Sequence, residues 1–129
     1  MVGWALSIAI AVSLVAVGLG ALAAPRRWAV MYGIVLDDER ALALIRAMGV
    51  RDLVIGGLLV LIALQGRRVP LGWGLCLTAV VALVDYVVVT ADRRAALPGS
   101  PAHAMDPRVL HAIGAVGLVI TGGLLLAGY

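Results

Sequence analysis

The chain is poor in charged residues, contains no lysine and has a single cysteine. These shortages limit the classes of protein and the kinds of site that the sequence can form. Charged residues make up 13% of its 129 residues, against about a quarter in an ordinary soluble domain. Hydrophobic residues make up 64%. This composition argues against a soluble domain and predicts one integral membrane domain over residues 1–129.

The lone cysteine, Cys76, excludes an internal disulfide and a cysteine-based metal site. The two histidines, His103 and His111, are expected to lie apart, so no metal site is predicted. The sequence also lacks a phosphate-binding loop, a nucleophile elbow and a pair of redox cysteines. We therefore expect no metal and no cofactor.

All ten basic residues are arginine, yet their placement argues against nucleic-acid binding. Several form pairs that flank apolar runs, at Arg26–Arg27, Arg67–Arg68 and Arg93–Arg94. Such pairs are typical of topology markers and of contacts with lipid headgroups. The connections after the first and third runs carry the most arginine. The chain is therefore predicted to lie in the cell membrane with these two loops cytoplasmic and both termini outside.

Hydropathy predicts an all-α fold, a bundle of four transmembrane helices over residues 3–24, 39–65, 71–91 and 107–128, approximately. Residues 66–70 are predicted to form a tight loop between the second and third spans. Residues 28–36 are apolar but too few to cross a bilayer. They predict a short interfacial segment between the first two spans, with Trp28 and Tyr32 at the level of the headgroups.

The second apolar run is shorter than a membrane span. Its uninterrupted part, Leu53 to Leu64, has twelve residues, whereas a helix needs about 20 to cross the hydrocarbon. The span must therefore include the turns before it, which carry Arg51 and Asp52. A charged side chain near the bilayer centre costs roughly 2.5 to 3.5 kcal/mol, so such residues are expected to pair with one another or to have a function.

Two more ionisable residues fall inside predicted spans, Asp85 late in the third and His111 early in the fourth. The second and fourth spans begin, and the third ends, on the same side of the membrane. We therefore expect Arg51, Asp52, Asp85 and His111 to form one intramembrane cluster. Asp52 shares a helix face with small residues, which favours an inward orientation; these are Gly49, Gly56 and Ala63.

Two interpretations of the cluster remain open. In the first, Arg51 pairs with Asp85 or Asp52, His111 hydrogen-bonds to an acid, and the network only fixes the helix packing. In the second, the cluster lines a pocket and two acids with different neighbours take separate acid and base roles. Further candidates for contact with a substrate are Arg46, Tyr32, Tyr86 and Thr78. For Arg46 and the two tyrosines, a place at the interface or in helix packing is the alternative.

The sequence resembles a known family in the run Gly49-Val50-Arg51-Asp52-Leu53 with Gly56, in Tyr32-Gly33-Ile34, and in Asp85 and His111. This is a domain-of-unknown-function family of small four-span integral membrane proteins from bacteria and fungi. The resemblance implies the four-helix topology and singles out Arg51, Asp52, Asp85 and His111. It implies no substrate.

Three functions fit these observations. The first is a membrane-embedded acid–base enzyme without a cofactor, an isomerase, a cyclase or an epoxide-opening enzyme, acting on a lipophilic small molecule. Asp85 or Asp52 would be the acid, His111 the base, and Arg51 the stabiliser of a developing anion. The alternatives are a proton- or ion-coupled transporter or channel, and a structural membrane subunit. Besides the lipid bilayer, a second copy in a homodimer is an expected partner.

Overall fold

A computed structural model describes residues 2–31, 39–91 and 107–129. These residues form five helices and, within those three ranges, no strand. Four of the helices are long and apolar enough to cross a membrane, so the prediction of an all-α multi-pass membrane protein with four spans is confirmed. The helices are α1 (Val2–Ala23), α2 (Pro25–Met31), α3 (Glu39–Leu64), α4 (Arg68–Ala91) and α5 (Pro107–Leu126).

The short helix α2 follows α1 almost without a break. Proline suits the first position of a helix, because the N–H it lacks would have no partner there, and Pro25 occupies that position in α2. The turn is closed by the Trp28 amide, which donates to the carbonyl of Ala24 at 3.2 Å. The interfacial segment therefore starts at Pro25 instead of Trp28. Its predicted later part, from Tyr32 onward, lies outside the described residues.

The connection between α3 and α4 is shorter than predicted. Gly66 has a φ of 70°, a left-handed conformation that glycine adopts without strain after a helix. Helix α4 then begins at Arg68, three residues before the predicted start at Leu71. The prediction treated Pro70 as part of a loop. A proline in the first helical turn disrupts no hydrogen bond, and the Leu71 amide already donates to the carbonyl of Arg67 at 3.2 Å.

Helices α1 and α3 pack in very close contact because glycines remove the side chains between them. A Cβ atom on Gly18 would lie 2.6 Å from the carbonyl oxygen of Gly49, and one on Gly56 would lie 2.8 Å from that of Ala11. Small residues of this kind allow helix backbones to approach each other in lipid. The face of α3 that carries Gly49, Asp52 and Gly56 is therefore buried, as its sequence pattern predicts.

Helices α4 and α5 form a second close pair by the same means. A Cβ atom on Gly122 would lie 2.8 Å from the carbonyl oxygen of Gly72. The two pairs meet over a core of buried leucines and alanines, among them Leu59, Leu71 and Leu75. Contact between the pairs is less extensive than contact within them. The bundle is therefore two close helix pairs, and space remains between them.

Candidate functional site

A cavity of about 180 Å³ lies between the two helix pairs, and all five helices contribute to its walls. Ten of its fifteen described lining residues are apolar, or glycine, and five are polar. The polar ones are Arg51, Asp52, Thr78, Asp85 and His111. The four residues of the predicted cluster therefore share one cavity. A pocket with mostly apolar walls and a few convergent polar groups is the usual form of a small-molecule site.

Arg51 joins the two carboxyl groups of the cluster. Its Nη1 and Nη2 atoms donate to Oδ1 and Oδ2 of Asp85 at 3.0 and 2.8 Å. Its Nε donates to Oδ1 of Asp52 at 3.0 Å, and Nη2 lies 3.0 Å from the same oxygen. The guanidinium group is planar with fixed donors, which suits two-point contact with a carboxylate. One side chain of α3 thus holds an acid on its own helix and an acid on α4.

The cluster lies within the predicted membrane spans. By the helical rise of 1.5 Å per residue, Arg51, Asp85 and His111 lie about 20, 26 and 22 Å from the opposite ends of their helices. The side chains of Asp52 and Asp85 are 10% and 16% exposed, and that of Arg51 is 32% exposed. The three distances are all shorter than the thickness of a hydrocarbon layer, about 30 Å. The three residues lie nearer to the end of the bundle that carries α2.

His111 completes the cluster from α5. It is half-buried, its Nε2 atom is buried, and its helix face carries Gly114 and Leu118, which line the same cavity. Thr78 lies two turns before Asp85 on α4 and is 8% exposed. Its hydroxyl donates to the carbonyl of Gly74 at 2.8 Å. The cavity thus extends along α4 from the charged groups toward the middle of the bundle.

Within the part of the chain that the structure describes, the mouth of the cavity lies between α2 and α5. Among its described lining residues, Met31 on α2 and Leu110 and Gly114 on α5 are exposed. At the opposite end of the bundle α1 and α5 approach each other, since a Cβ atom on Gly3 would lie 3.5 Å from that of Leu124. The open side of the cavity is thus lined by apolar side chains and glycine, and the charged groups lie deeper inside.

The four further residues that were predicted to contact a substrate do not all line this cavity. Of the four, Thr78 lines the cavity. Tyr86 is half-buried but is not among the described lining residues. Arg46 is exposed and borders a different cavity. Tyr32 lies outside the described residues.

Trp28 is a lining residue that the sequence interpretation assigned to the membrane interface. It is half-buried, packs against the buried residues Ala21 and Ile45, and forms part of the cavity wall with Met31. A Cβ atom on Gly20 would overlap its indole ring. Gly20, eight residues before Trp28, leaves room on α1 for a large side chain that folds back from α2. It is the one feature of the sequence that could have predicted Trp28 in the cavity wall.

Comparison with known proteins identifies the family of this chain. The sequence matches the family described as Domain of unknown function (DUF4267) over residues 11–125. The chain belongs to that family. The matched DUF4267 region contains all four residues of the cluster and every described lining residue of the cavity. No curated protein and no solved structure matches the chain.

Proposed function

We propose that this DUF4267 protein is a membrane-embedded acid–base enzyme that acts without a cofactor on a small lipophilic molecule. The observation that carries the proposal is the cavity of about 180 Å³, whose apolar walls end at Asp85, Asp52 and His111. An apolar cavity of about 150 Å³ in another protein holds a benzene ring. The reactive end of a lipophilic molecule, on the order of one ring, fits the space.

The charges of the cluster support proton transfer. Two carboxylates and one guanidinium leave one formal negative charge in a site where both carboxylate side chains are largely buried. An uncompensated charge is costly there, and one bound proton makes the cluster neutral. His111 both donates and accepts protons readily near neutral pH in its ordinary form. The cluster can thus hold one proton for a substrate and give it back.

The proposed roles differ in one respect from those the sequence suggested. Arg51 directs its donors to Asp52 and Asp85, so we assign it the positioning of the two acids and no longer the stabilisation of an anion. His111 serves as the base that removes a proton from the substrate. Asp85 or Asp52 relays a proton to a second atom of the substrate. The proton on His111 then returns to that carboxylate, so an isomerisation or cyclisation of this type restores the starting protonation states and consumes no co-reactant.

A proton- or ion-coupled carrier is supported less well. A permeation path needs polar groups in both halves of the membrane, and four of the five polar lining residues cluster at the α2 side. The structural interpretation is compatible with the enzyme, since the bond between Arg51 and Asp85 ties the two helix pairs together in either case. We also propose, from the arginine distribution, that the α2 side faces the cytoplasm.

Solvent-proton exchange tests the enzyme directly without knowledge of the natural substrate. The protein in detergent is incubated in D₂O with a panel of lipophilic ketones and enones, and incorporated deuterium is read by mass spectrometry. We expect accelerated exchange into at least one compound. General acid–base catalysis contributes about 100-fold or more, so His111→Ala should lose that factor. His103→Ala, which changes the chain's other histidine, should retain the wild-type rate. Equal rates for all three proteins would refute the proposal.

A further inference from the structure

A second cavity on the α2 side is bordered by arginines. Its volume is about 410 Å³, and it lies where α1 gives way to α2, against the first turns of α3. Its described lining residues are Ala24, Pro25, Arg26, Arg27, Leu42 and Arg46. None of these residues lines the cavity of the candidate site.

The charged side chains among this second cavity's described lining residues are all positive. Arg26, Arg27 and Arg46 are all exposed, and no carboxylate is found among the cavity's described lining residues. The guanidinium groups come from two separate helices, α2 and α3. Leu42, one turn before Arg46, is only 5% exposed, so α3 packs against its neighbours directly beside Arg46.

The position of this cavity along the helices indicates the class of its ligand. Arg46 lies five residues before Arg51, which places it about 7.5 Å closer to the membrane surface. Arg26 and Arg27 directly follow the end of α1. Arg46 is thus about 27 Å from the opposite end of α3, near the edge of a hydrocarbon layer about 30 Å thick. A long arginine side chain there reaches the headgroups, where the abundant anion is phosphate. Arginine binds phosphate oxygens at two points with its planar donors.

We propose that this arginine cavity binds a phosphate group, carried either by an anionic phospholipid or by a free phosphate compound. The site is independent of the acid–base chemistry proposed for the other cavity. Each arginine near an anionic lipid surface contributes about 1 kcal/mol, or roughly a fivefold change in affinity. Loss of two arginines therefore predicts on the order of a thirtyfold weaker binding.

Native mass spectrometry of the full chain in a nonionic detergent tests the proposal. The protein is titrated with dioleoylphosphatidylglycerol and, separately, with dioleoylphosphatidylcholine of the same chain length, whose phosphate charge is balanced by its own choline cation. The variant Arg27→Gln/Arg46→Gln removes two of the three arginines; Arg26 is left in place because it makes another interaction. The matched control, Arg67→Gln/Arg68→Gln, removes an exposed pair at the opposite end of the bundle. Circular dichroism verifies that both variants are folded.

The wild type should bind phosphatidylglycerol at least tenfold more tightly than phosphatidylcholine, and only Arg27→Gln/Arg46→Gln should lose this preference. Competition by inorganic phosphate, against chloride at equal ionic strength, then identifies the source. Displacement of the lipid shows that free phosphate is also a ligand, and retention assigns the site to a lipid headgroup. Equal affinity for the two lipids would overturn the proposal, as would an equal loss in both double variants.

Discussion

Arg51 and Asp85, 34 positions apart in the sequence, form a two-point ion pair that links helix α3 to helix α4. Each helix belongs to a different close pair, so this bond connects the two halves of the bundle. It also forms one wall of the cavity. Removal of either partner should therefore affect both stability and function.

Loss of the guanidinium should destabilise the fold. Arg51→Ala leaves two carboxyl groups in the membrane without their shared partner, and breaking a buried pair costs about 3 to 5 kcal/mol. Since the Arg51 side chain is 32% exposed, we expect a loss of about 2 kcal/mol, below the low end of that range. Arg51→Lys should retain part of the stability, because lysine keeps the positive charge. It should not retain all of it, because lysine lacks the two-point geometry.

A double-mutant cycle with Asp85→Ala separates the pair from other effects. Thermal unfolding in detergent provides the measurement. Arg51→Ala/Asp85→Ala should be less destabilised than the sum of the two single variants. Arg67→Ala, an exposed arginine, should unfold like the wild type. Additive single effects would show that the pair contributes nothing of its own.

Neighbouring glycines on α3 provide a sharp test of the helix packing. A Cβ atom on Gly56 would lie 2.8 Å from backbone atoms of Ala11 and Val15, whereas one on Gly57 meets no atom within 4 Å. Gly56→Ala should force α1 away from α3 and lower the unfolding free energy by about 1 to 3 kcal/mol. Gly57→Ala should be neutral or slightly stabilising. If both variants unfold at the same temperature, α1 and α3 do not pack as closely as described here.

Blocking the cavity mouth should reduce exchange activity strongly while the protein stays folded. Gly114 is exposed, lines the cavity, and has open space around its Cα. Gly114→Phe is expected to reduce deuterium exchange by about tenfold or more with little change in thermal unfolding. Val116→Phe places the same ring on the exposed face of α5, outside the cavity lining. An active Gly114→Phe variant would mean that substrate does not enter beside this glycine.

Much of the fold follows from hydropathy, because lipid requires about 20 apolar residues per span and penalises each charge within them. The same argument singled out Arg51 and Asp52, since the run from Leu53 to Leu64 is too short alone. The residue types on each helix face also predicted that Asp52 is buried. These features depend on the local sequence and on the thickness of the membrane.

The sequence did not predict which partner Arg51 binds or where the cavity opens. Both depend on how the helices rotate about their axes, which is set by contacts such as those of Gly18 with Gly49 and of Gly72 with Gly122. The place of Trp28 depends on the turn at Pro25. Long-range packing of this kind leaves only faint local signals, such as Gly20 opposite an indole ring.

The predicted orientation can be measured with single cysteines in a Cys76→Ser background. The arginine distribution places residues 66–70 outside and residues 95–105 in the cytoplasm. In intact cells, a membrane-impermeant maleimide should label Arg67→Cys and should label Ser100→Cys only after lysis. The reverse pattern would invert the topology and leave the cluster unchanged.

The account depends most on the depth of the charged cluster in the membrane, and nitroxide labels measure that depth without disturbing the cluster. Val50 and Val84 are exposed neighbours of Arg51 and Asp85. Spin labels at these two positions in lipid vesicles should collide often with oxygen and rarely with a water-soluble nickel chelate, as inside hydrocarbon. A label at Arg67 should show the opposite preference. Nickel collision at Val50 and Val84 as frequent as at Arg67 would place the cluster in water and contradict the account.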